Sequence, residues 1–211
     1  MGALMSKAYV WNNAECTCAH AYLLPTLTHI LDALALPSHE KKIFDLGCGN
    51  GSVAFRLAQM GWTVSGVDPS EDGIAQARKT FPDLNLRLGS AYDDLVGQYG
   101  TFPVLLSFEV VEHLYDPRLF ARNAFDLTRP GGMVIISTPY HGYLKNLAIA
   151  VAGKWDAHFT ALWDGGHIKF WSQNSLRLLL MEAGFENIEF YRVGRVPIFA
   201  KSMIAVAKRP R

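Results

Sequence analysis

The stretch Asp45-Leu46-Gly47-Cys48-Gly49-Asn50-Gly51-Ser52 constrains this chain more than any other. Glycines at every second position let the backbone turn sharply and let a ligand lie against bare main chain. Residues 41–44 read as a short strand entering the turn, and residues 53–58 read as a helix leaving it. A helix N-terminus behind such a turn presents free N–H groups and the positive end of a dipole. Asp45 closes the strand and faces the same crevice. This is a place for a nucleoside-bearing cofactor at the carboxyl edge of a parallel sheet.

The next segments repeat the rhythm. Gly61 ends the helix, and residues 62–68 form a second strand that finishes in Asp68 and Pro69. Ser70 caps a helix with Glu71 and Asp72 in its first turn. Its inner face is set by Ile74, Ala77 and Phe81, with Arg78 lending its stem. An acid about 20 residues after a glycine turn, at the tip of the next strand, is placed to accept hydrogen bonds from ribose hydroxyls. Residues 84–88 read as a third strand, ending at Gly89-Ser90-Ala91-Tyr92. Residues 102–108 are a fourth, continuously apolar as a doubly covered strand should be. It runs into Glu109-Val110-Val111-Glu112-His113, after which Asp116 and Pro117 open a helix with Phe120, Ala124 and Leu127 inward. Pro130-Gly131-Gly132 is a tight turn into a fifth strand, 133–137.

Upstream, residues 22–36 keep helical spacing until Pro37. Ahead of them Tyr9, Val10 and Trp11 either fold over the cofactor as a lid or cover the edge of the core. Residues 140–169 are too long for a plain connection and are rich in aromatic and small residues, so they read as an inserted cap of one or two short helices. Residues 172–183 form a helix closed by Gly184. Residues 186–193 and 200–208 are then two strands joined without a helix, hence an antiparallel pair at one sheet edge. The 211 residues make one domain: an N-terminal lid and helix (1–40), a cofactor-binding core (41–139), the cap (140–170) and a C-terminal helix and strand pair (171–211).

With 20 basic and 19 acidic residues the net charge is +1, which disfavours nucleic acid as a partner. Three cysteines do not make a disulfide framework and fit a reducing, cytoplasmic setting. Cys16-Thr17-Cys18-Ala19-His20 lacks the paired spacing of a zinc site and reads as structural. No run is apolar enough for a membrane span, and no leader is visible.

Alternating strands and helices predict a doubly wound, Rossmann-like α/β sheet. The motif at 45–51, Val67-Asp68, the Pro130-Gly131-Gly132 turn and the terminal strand pair resemble class I S-adenosylmethionine-dependent methyltransferases over nearly the whole chain. The resemblance implies a seven-stranded sheet with its last strand antiparallel. It implies S-adenosylmethionine as cofactor and S-adenosylhomocysteine as product. By position, the backbone of Gly47, Gly49 and Gly51 receives the methionine end and Asp45 its amino group. Asp68, followed by Pro69, takes the ribose. Ser90 and Ala91 line the adenine, Ser90 standing where many members carry Asp. Phe108 and Glu109 pass beneath the sulfonium. The segment Glu109-Val110-Val111-Glu112-His113 is similar to one in the ubiquinone-biosynthesis O-methyltransferases and in small-RNA 2′-O-methyltransferases. There it is associated with a divalent metal. Glu109, Glu112 and His113 fit that set by position, and His167 is a candidate fourth ligand or a base from across the pocket, although a metal-free site is the favoured expectation.

Transfer from a sulfonium needs an aligned, dry nucleophile, and the protein supplies mainly orientation and electrostatics. An alcohol or phenol must lose its proton near attack. His113 is the first candidate base, with His167 and His141 in reserve. The apolar cap points to a hydrophobic or aromatic small-molecule acceptor, and residues 143–163 offer a peripheral membrane contact. A cofactor-binding protein without turnover stays open as an alternative, and so do two other enzyme readings. One is an NAD(P)-dependent oxidoreductase, against which Asp45 would set a carboxylate near a pyrophosphate. The other is a metal-dependent 2′-O-methyltransferase of small-RNA ends.

Overall fold

The computed structural model describes residues 11, 15, 18–163 and 165–211. Tyr9, Val10, Cys16 and Thr17 lie outside the described residues. The chain runs α1 (His20–Ala33), β1 (Lys42–Leu46), α2 (Ser52–Gln59), β2 (Thr63–Asp68), α3 (Glu71–Thr80), β3 (Asn85–Leu88), α4 (Val96–Tyr99), β4 (Phe102–Phe108), α5 (Pro117–Leu127), β5 (Thr128–Pro139), α6 (Tyr143–Val151), α7 (Trp155–Phe159), α8 (Gln173–Glu182), β6 (Glu186–Val193) and β7 (Ser202–Lys208). The strands form one seven-stranded sheet in the order β3-β2-β1-β4-β5-β7-β6. β7 pairs antiparallel with both neighbours, while β3, β2, β1, β4 and β5 are mutually parallel.

The two-residue period of the strands splits the core between the two faces of the sheet. Ile43, Val104 and Leu106 pack with Leu23, Leu27 and Leu31 of α1, Leu57 of α2 and Ile74 of α3. Phe44, Leu46 and Leu105 pack with Phe120 and Leu127 of α5 and Leu176 and Leu180 of α8. β4 is buried at every position, as its unbroken apolar run requires. Ser70 and Asp116 cap α3 and α5 as expected, accepting from Gly73 N and Leu119 N.

Three details differ from the sequence expectations. α1 stops at Ala33, short of Leu36, because Ala35 takes a left-handed φ of +46°. Arg78 is exposed, so the inner face of α3 is made by Gly73, Ile74 and Ala77. β5 begins before the Pro130-Gly131-Gly132 turn: Thr128 pairs with Phe102, the register shifts across the turn, and pairing resumes at Met133. The antiparallel pair expected at one side of the sheet is there: β7 joins β5, β6 forms that edge and β3 the opposite one, and every residue of β7 except Lys208 is buried between its neighbours.

At the head of α1, His20 is 8% exposed and sits 3.5 Å from the Ser52 hydroxyl. Burial pushes its imidazole down to about 4, against 6.5 unfolded. The folded protein therefore resists the proton that the unfolded chain takes up. Stability is full above pH 6.5 and declines as pH falls toward 4. His20→Gln cannot take up that proton. Its stability relative to wild type, followed by urea unfolding, is expected to rise by about 2 kcal/mol between pH 7.5 and pH 5. A difference independent of pH would contradict this.

Candidate active site

The parallel strands bring their carboxyl ends to one edge, and nearly all the candidate residues stand there. The glycine loop is pinned to the neighbouring strand: Gly47 N and Cys48 N both donate to the Val67 carbonyl, at 2.8 and 3.0 Å. Gly47, Gly49 and Gly51 all take positive φ, at +94°, +52° and +76°. A side chain at any of them would be strained and would also collide, with Val110 at Gly47, with the Trp11 ring at Gly49 and with Leu86 at Gly51. Asp68 accepts from Gly49 N and Ser70 N, each at 2.8 Å, so the acid at the second strand tip also shapes the loop.

Asp45 lies beneath the loop, 2% exposed, with Oδ2 lacking a hydrogen-bond partner. Burial, and then the charge of Asp68, push its carboxyl up to about 7. An orphaned acid under a cradle of bare backbone fits a ligand bearing an ammonium group. Trp11, the described part of the expected lid, lies against Gly49 and Gly73 and takes the Gln76 side-chain amide on its carbonyl. Ala91 is buried and Pro69 exposed at the rim. The Ser90 hydroxyl accepts from Tyr92 N, and Ser90 N donates to Asp93. The acid at this strand tip is therefore Asp93, three residues later than the usual place.

Phe108 is buried at the end of β4. Glu109 then reverses the chain at a φ of +54°, a strained value for this residue type. Ser137 and Ser202 hold it there. Glu109 N donates to Ser137 Oγ, and its carboxylate accepts from Ser137 at 2.8 Å and Ser202 at 3.3 Å. Burial raises this carboxyl to about 7. The geometry thus separates Glu109 from the rest of the expected metal set.

Glu112, His113 and His167 do come together. Each offers a ligand atom within 4.8 Å of the others, and each imidazole Nε2 is 4.0 Å from Glu112 Oε1. Glu112 is 1% exposed, neither carboxylate oxygen has a regular hydrogen bond, and burial drives its pKa well up. His113 Nδ1 lies 2.9 and 3.1 Å from the carbonyls of Gly165 and Gly166. Carbonyls only accept, so Nδ1 carries the hydrogen and Nε2 keeps its lone pair. Burial lowers His113 and takes His167 down to about 4, so both rings are neutral at pH 7. The segment carrying His167 is tied to the same turn, with Ile168 N and Lys169 N both donating to the Glu112 carbonyl at 2.9 Å.

Beside this trio, a cavity of about 260 Å³ opens under the cap. It is lined by His167 and His141, by Phe159, Phe170 and Phe199, and by Lys145, Arg195 and Lys201. His141, the reserve base, is buried and pushed to about 4, chiefly by that burial. The sequence reading missed Ser137, Ser202 and the three cations. Ser137 was the detectable one, since a serine ending an apolar strand is a buried hydroxyl in need of a partner.

A family model described as a methyltransferase domain matches residues 19–190. A ubiquinone biosynthesis O-methyltransferase of Azorhizobium caulinodans is 34% identical over 168 residues, which is 75% of this chain and 64% of that protein. One from Caulobacter sp. strain K31 is 35% identical over 141 residues, 65% of this chain and 54% of the relative. The chain thus spans somewhat over half the length of these relatives. Among solved structures, Haemonchus contortus phosphoethanolamine N-methyltransferase 2 in complex with S-adenosyl-L-methionine superimposes with a TM-score of 0.64 at 15% identity, over 89% of this chain and 53% of that one. The [4+2]-cyclase SpnF does so at 0.66 and 16%, over 96% and 86%. These likenesses show the fold.

The buried Glu112 yields a prediction. Its raised folded pKa means that stability present at low pH is lost as pH rises toward that value. Glu112→Gln removes the loss. In chelator-treated protein at pH 8 the variant is expected to be more stable by on the order of 2 kcal/mol, about 4–8 °C in Tm for a chain of this size, with the gap narrowing toward pH 5. A variant less stable than wild type at pH 8 would show that the ionised carboxyl is satisfied.

Proposed function

The chain belongs to the methyltransferase-domain family, and from that premise we propose that it transfers a methyl group from S-adenosylmethionine to a hydroxyl of a hydrophobic or aromatic small molecule. The observation that carries the reading is the pairing of two half-sites on one edge: a bare-backbone cradle with an orphaned acid, and a lone-pair-rich trio beside a cavity walled partly by aromatic rings. The names of the O-methyltransferase relatives support the hydroxyl as acceptor.

When bound, the cofactor supplies a methyl on a sulfonium, already activated for displacement. The chain's own residues bind and orient. The backbone at Gly47–Gly51 faces the methionine end, and Asp45 meets its ammonium, gaining the partner that Oδ2 lacks. Asp68 takes the ribose hydroxyls by turning oxygen lone pairs outward while it still holds the loop. Trp11 closes over this half. Glu109 stands at the strand tip with its backbone and carboxylate fixed, setting the floor on which the two halves meet.

The acceptor hydroxyl belongs at Glu112, His113 and His167. His113 Nε2 has a lone pair and an imidazole pKa below neutrality, so it can receive the hydroxyl proton directly. The same three residues are a fitting donor set for a divalent cation: one carboxylate and two neutral imidazoles, with the carboxylate otherwise unsatisfied. A cation held there would lower the pKa of a coordinated hydroxyl. The burial of Glu112, whose carboxylate has only Thr138 as a weak neighbouring donor, favours this second way, since a spectator carboxylate would not be kept so far from water. Tyr143, Leu144, Val151 and Leu162 expose apolar surface on the cap. That surface suits a lipid-tailed acceptor reached at a membrane, and among the described residues no helix is long and apolar enough to cross one.

Calorimetry with S-adenosylhomocysteine and with NADH tests the cofactor, and transfer of labelled methyl to a panel of catechols tests the reaction. Binding of S-adenosylhomocysteine alone is expected; binding of NADH alone would sink the reading. Asp68→Ala should weaken the cofactor at least tenfold, whereas His113→Ala should bind it normally and slow transfer by about 10²-fold or more. Zinc or manganese titration should show one site in wild type and none in Glu112→Gln. Unchanged metal affinity in that variant would leave His113 as the base.

A further inference from the structure

The head of α1 reaches both halves of the site within one helical turn. His20 stands beside the Ser52 hydroxyl at the start of α2, next to the glycine loop. Two residues on, the Tyr22 hydroxyl lies 3.2 Å from Ser202 Oγ. Ser202 opens β7, is 1% exposed, and donates to Glu109 Oε2 at 3.3 Å. Ser137 of β5 donates to the other carboxylate oxygen at 2.8 Å and accepts from Glu109 N at 3.0 Å. Residues from α1, β7 and β5 thus form one chain of hydroxyls converging on a buried carboxylate at the tip of β4.

The direction of the chain follows from its hydrogens. A serine has one to give, and Ser202 gives it to Glu109, so the Tyr22 phenol is the donor to Ser202. That donation occupies a Ser202 lone pair and keeps the rotating hydroxyl aimed at Glu109. Burial raises the phenol above its ordinary pKa and so keeps the hydrogen in place. The ring is set separately: it packs against the core cluster under α1, and Lys201 Nζ lies over its face, 5.3 Å from the centre. Phenylalanine would serve that packing as well, and what tyrosine adds is the donor. The chain ends on a strained turn. Glu109 keeps a φ of +54° only while its surroundings impose it, and three residues later the same turn delivers Glu112 and His113 to the trio.

We propose that Tyr22 is a positioning residue for methyl transfer: through Ser202 it fixes the Glu109 carboxylate, and so holds the turn carrying Glu112 and His113 in register with the cofactor cradle. Its kinetic consequence rests on the hydroxyl-acceptor reading, and its structural consequence does not. At 3.2 and 3.3 Å the two outer links are long for hydroxyl pairs. The effect is therefore that of one net hydrogen bond, about three- to tenfold, rather than the roughly hundredfold or greater loss of a general base.

The test compares wild type with Tyr22→Phe, Tyr22→Leu, Ser202→Ala and the double variant Tyr22→Phe with Ser202→Ala. Amide hydrogen exchange, read by mass spectrometry on the full chain without ligand, is followed over residues 109–113. It is expected to quicken about three- to tenfold in Tyr22→Phe and in Ser202→Ala. Exchange over 102–108, the buried β4, should stay at the wild-type rate and reports that each variant is folded. Labelled methyl transfer to the catechol panel is expected to lose kcat by the same factor, with KM for S-adenosylmethionine unchanged. The double variant should be no slower than Ser202→Ala alone, because both substitutions break one chain. Wild-type exchange over 109–113 in Tyr22→Phe overturns the proposal, as do losses that multiply in the double variant. A defect in Tyr22→Leu that Tyr22→Phe does not share overturns it too, since the ring alone would then matter. Should wild type methylate no catechol, the hydroxyl-acceptor reading falls and the exchange comparison still decides the role of Tyr22.

Discussion

One carbonyl, that of Val67, accepts from two successive amides of the glycine loop, Gly47 and Cys48. The rest of the site depends on this contact. It ties the end of β1 to the end of β2, so the loop cannot drift along the sheet edge. It also puts Asp68 one residue beyond, where its carboxylate takes Gly49 N and Ser70 N and so fixes both the loop and the start of α3. Backbone donors that would otherwise be orphaned at two helix starts are thereby aimed into one crevice. The opposite half is built in a similar way. The Glu112 carbonyl accepts from Ile168 and Lys169, bringing the end of the cap back to the tip of β4. Two carbonyls, each accepting from two successive amides, thus tie the two halves of the edge to the sheet.

Much of this was legible because the governing interactions are local. The glycine alternation, the acid before it and the acid about 20 residues later are one contiguous unit whose geometry follows from backbone φ and strand length. The Ser70 and Asp116 caps were equally readable, since an N-cap bonds only two or three residues ahead. The misplaced end of α1 and the exposed Arg78 reflect positions where periodicity alone cannot say which residue is last or outermost. The antiparallel ending was readable too, because two strands joined by a short helix-free link pair side by side, although which of the two forms the edge is a long-range property. Asp93 escaped notice because a turn at Ser90 brings it back to the strand tip. Lys145, Arg195 and Lys201 come from segments 50 or more residues apart on either side of α8, and only the packed cap brings them together.

The electrostatics of the edge share one theme. Burial raises the carboxyls of Asp45, Glu109 and Glu112 and lowers the imidazoles of His113, His141 and His167. Each shift moves a group toward its neutral form, so the site as it stands carries far less charge than its residue list suggests. Groups poised in this way respond strongly to an arriving charge. An ammonium near Asp45 or a cation at Glu112 would draw the adjacent carboxyl back to its ionised state, and the low surrounding dielectric makes those encounters stronger than they would be in water. The strain at Glu109 belongs to the same design. Its left-handed backbone is held by two serine hydroxyls from β5 and β7, so the sheet core bears the distortion.

The cavity wall then poses a different physical problem, and the difference separates recognition from chemistry. At the sheet edge, acids and bases face one another and can compensate by becoming neutral. Lys145, Arg195 and Lys201 are placed differently: the guanidinium keeps its proton at any accessible pH, two of the three side chains stand out toward solvent, and the partly buried Lys145 feels both Arg195 and the Glu109 carboxyl. The cavity therefore carries standing positive charge beside a nearly neutral, lone-pair-rich trio. Such a field orients a ligand before any close contact forms. Orientation is what methyl transfer demands of a protein, since the nucleophile must lie in line with the bond that breaks. The standing charge would then serve orientation, while Glu112, His113 and His167, held near neutrality, would be free to take up a proton or a cation.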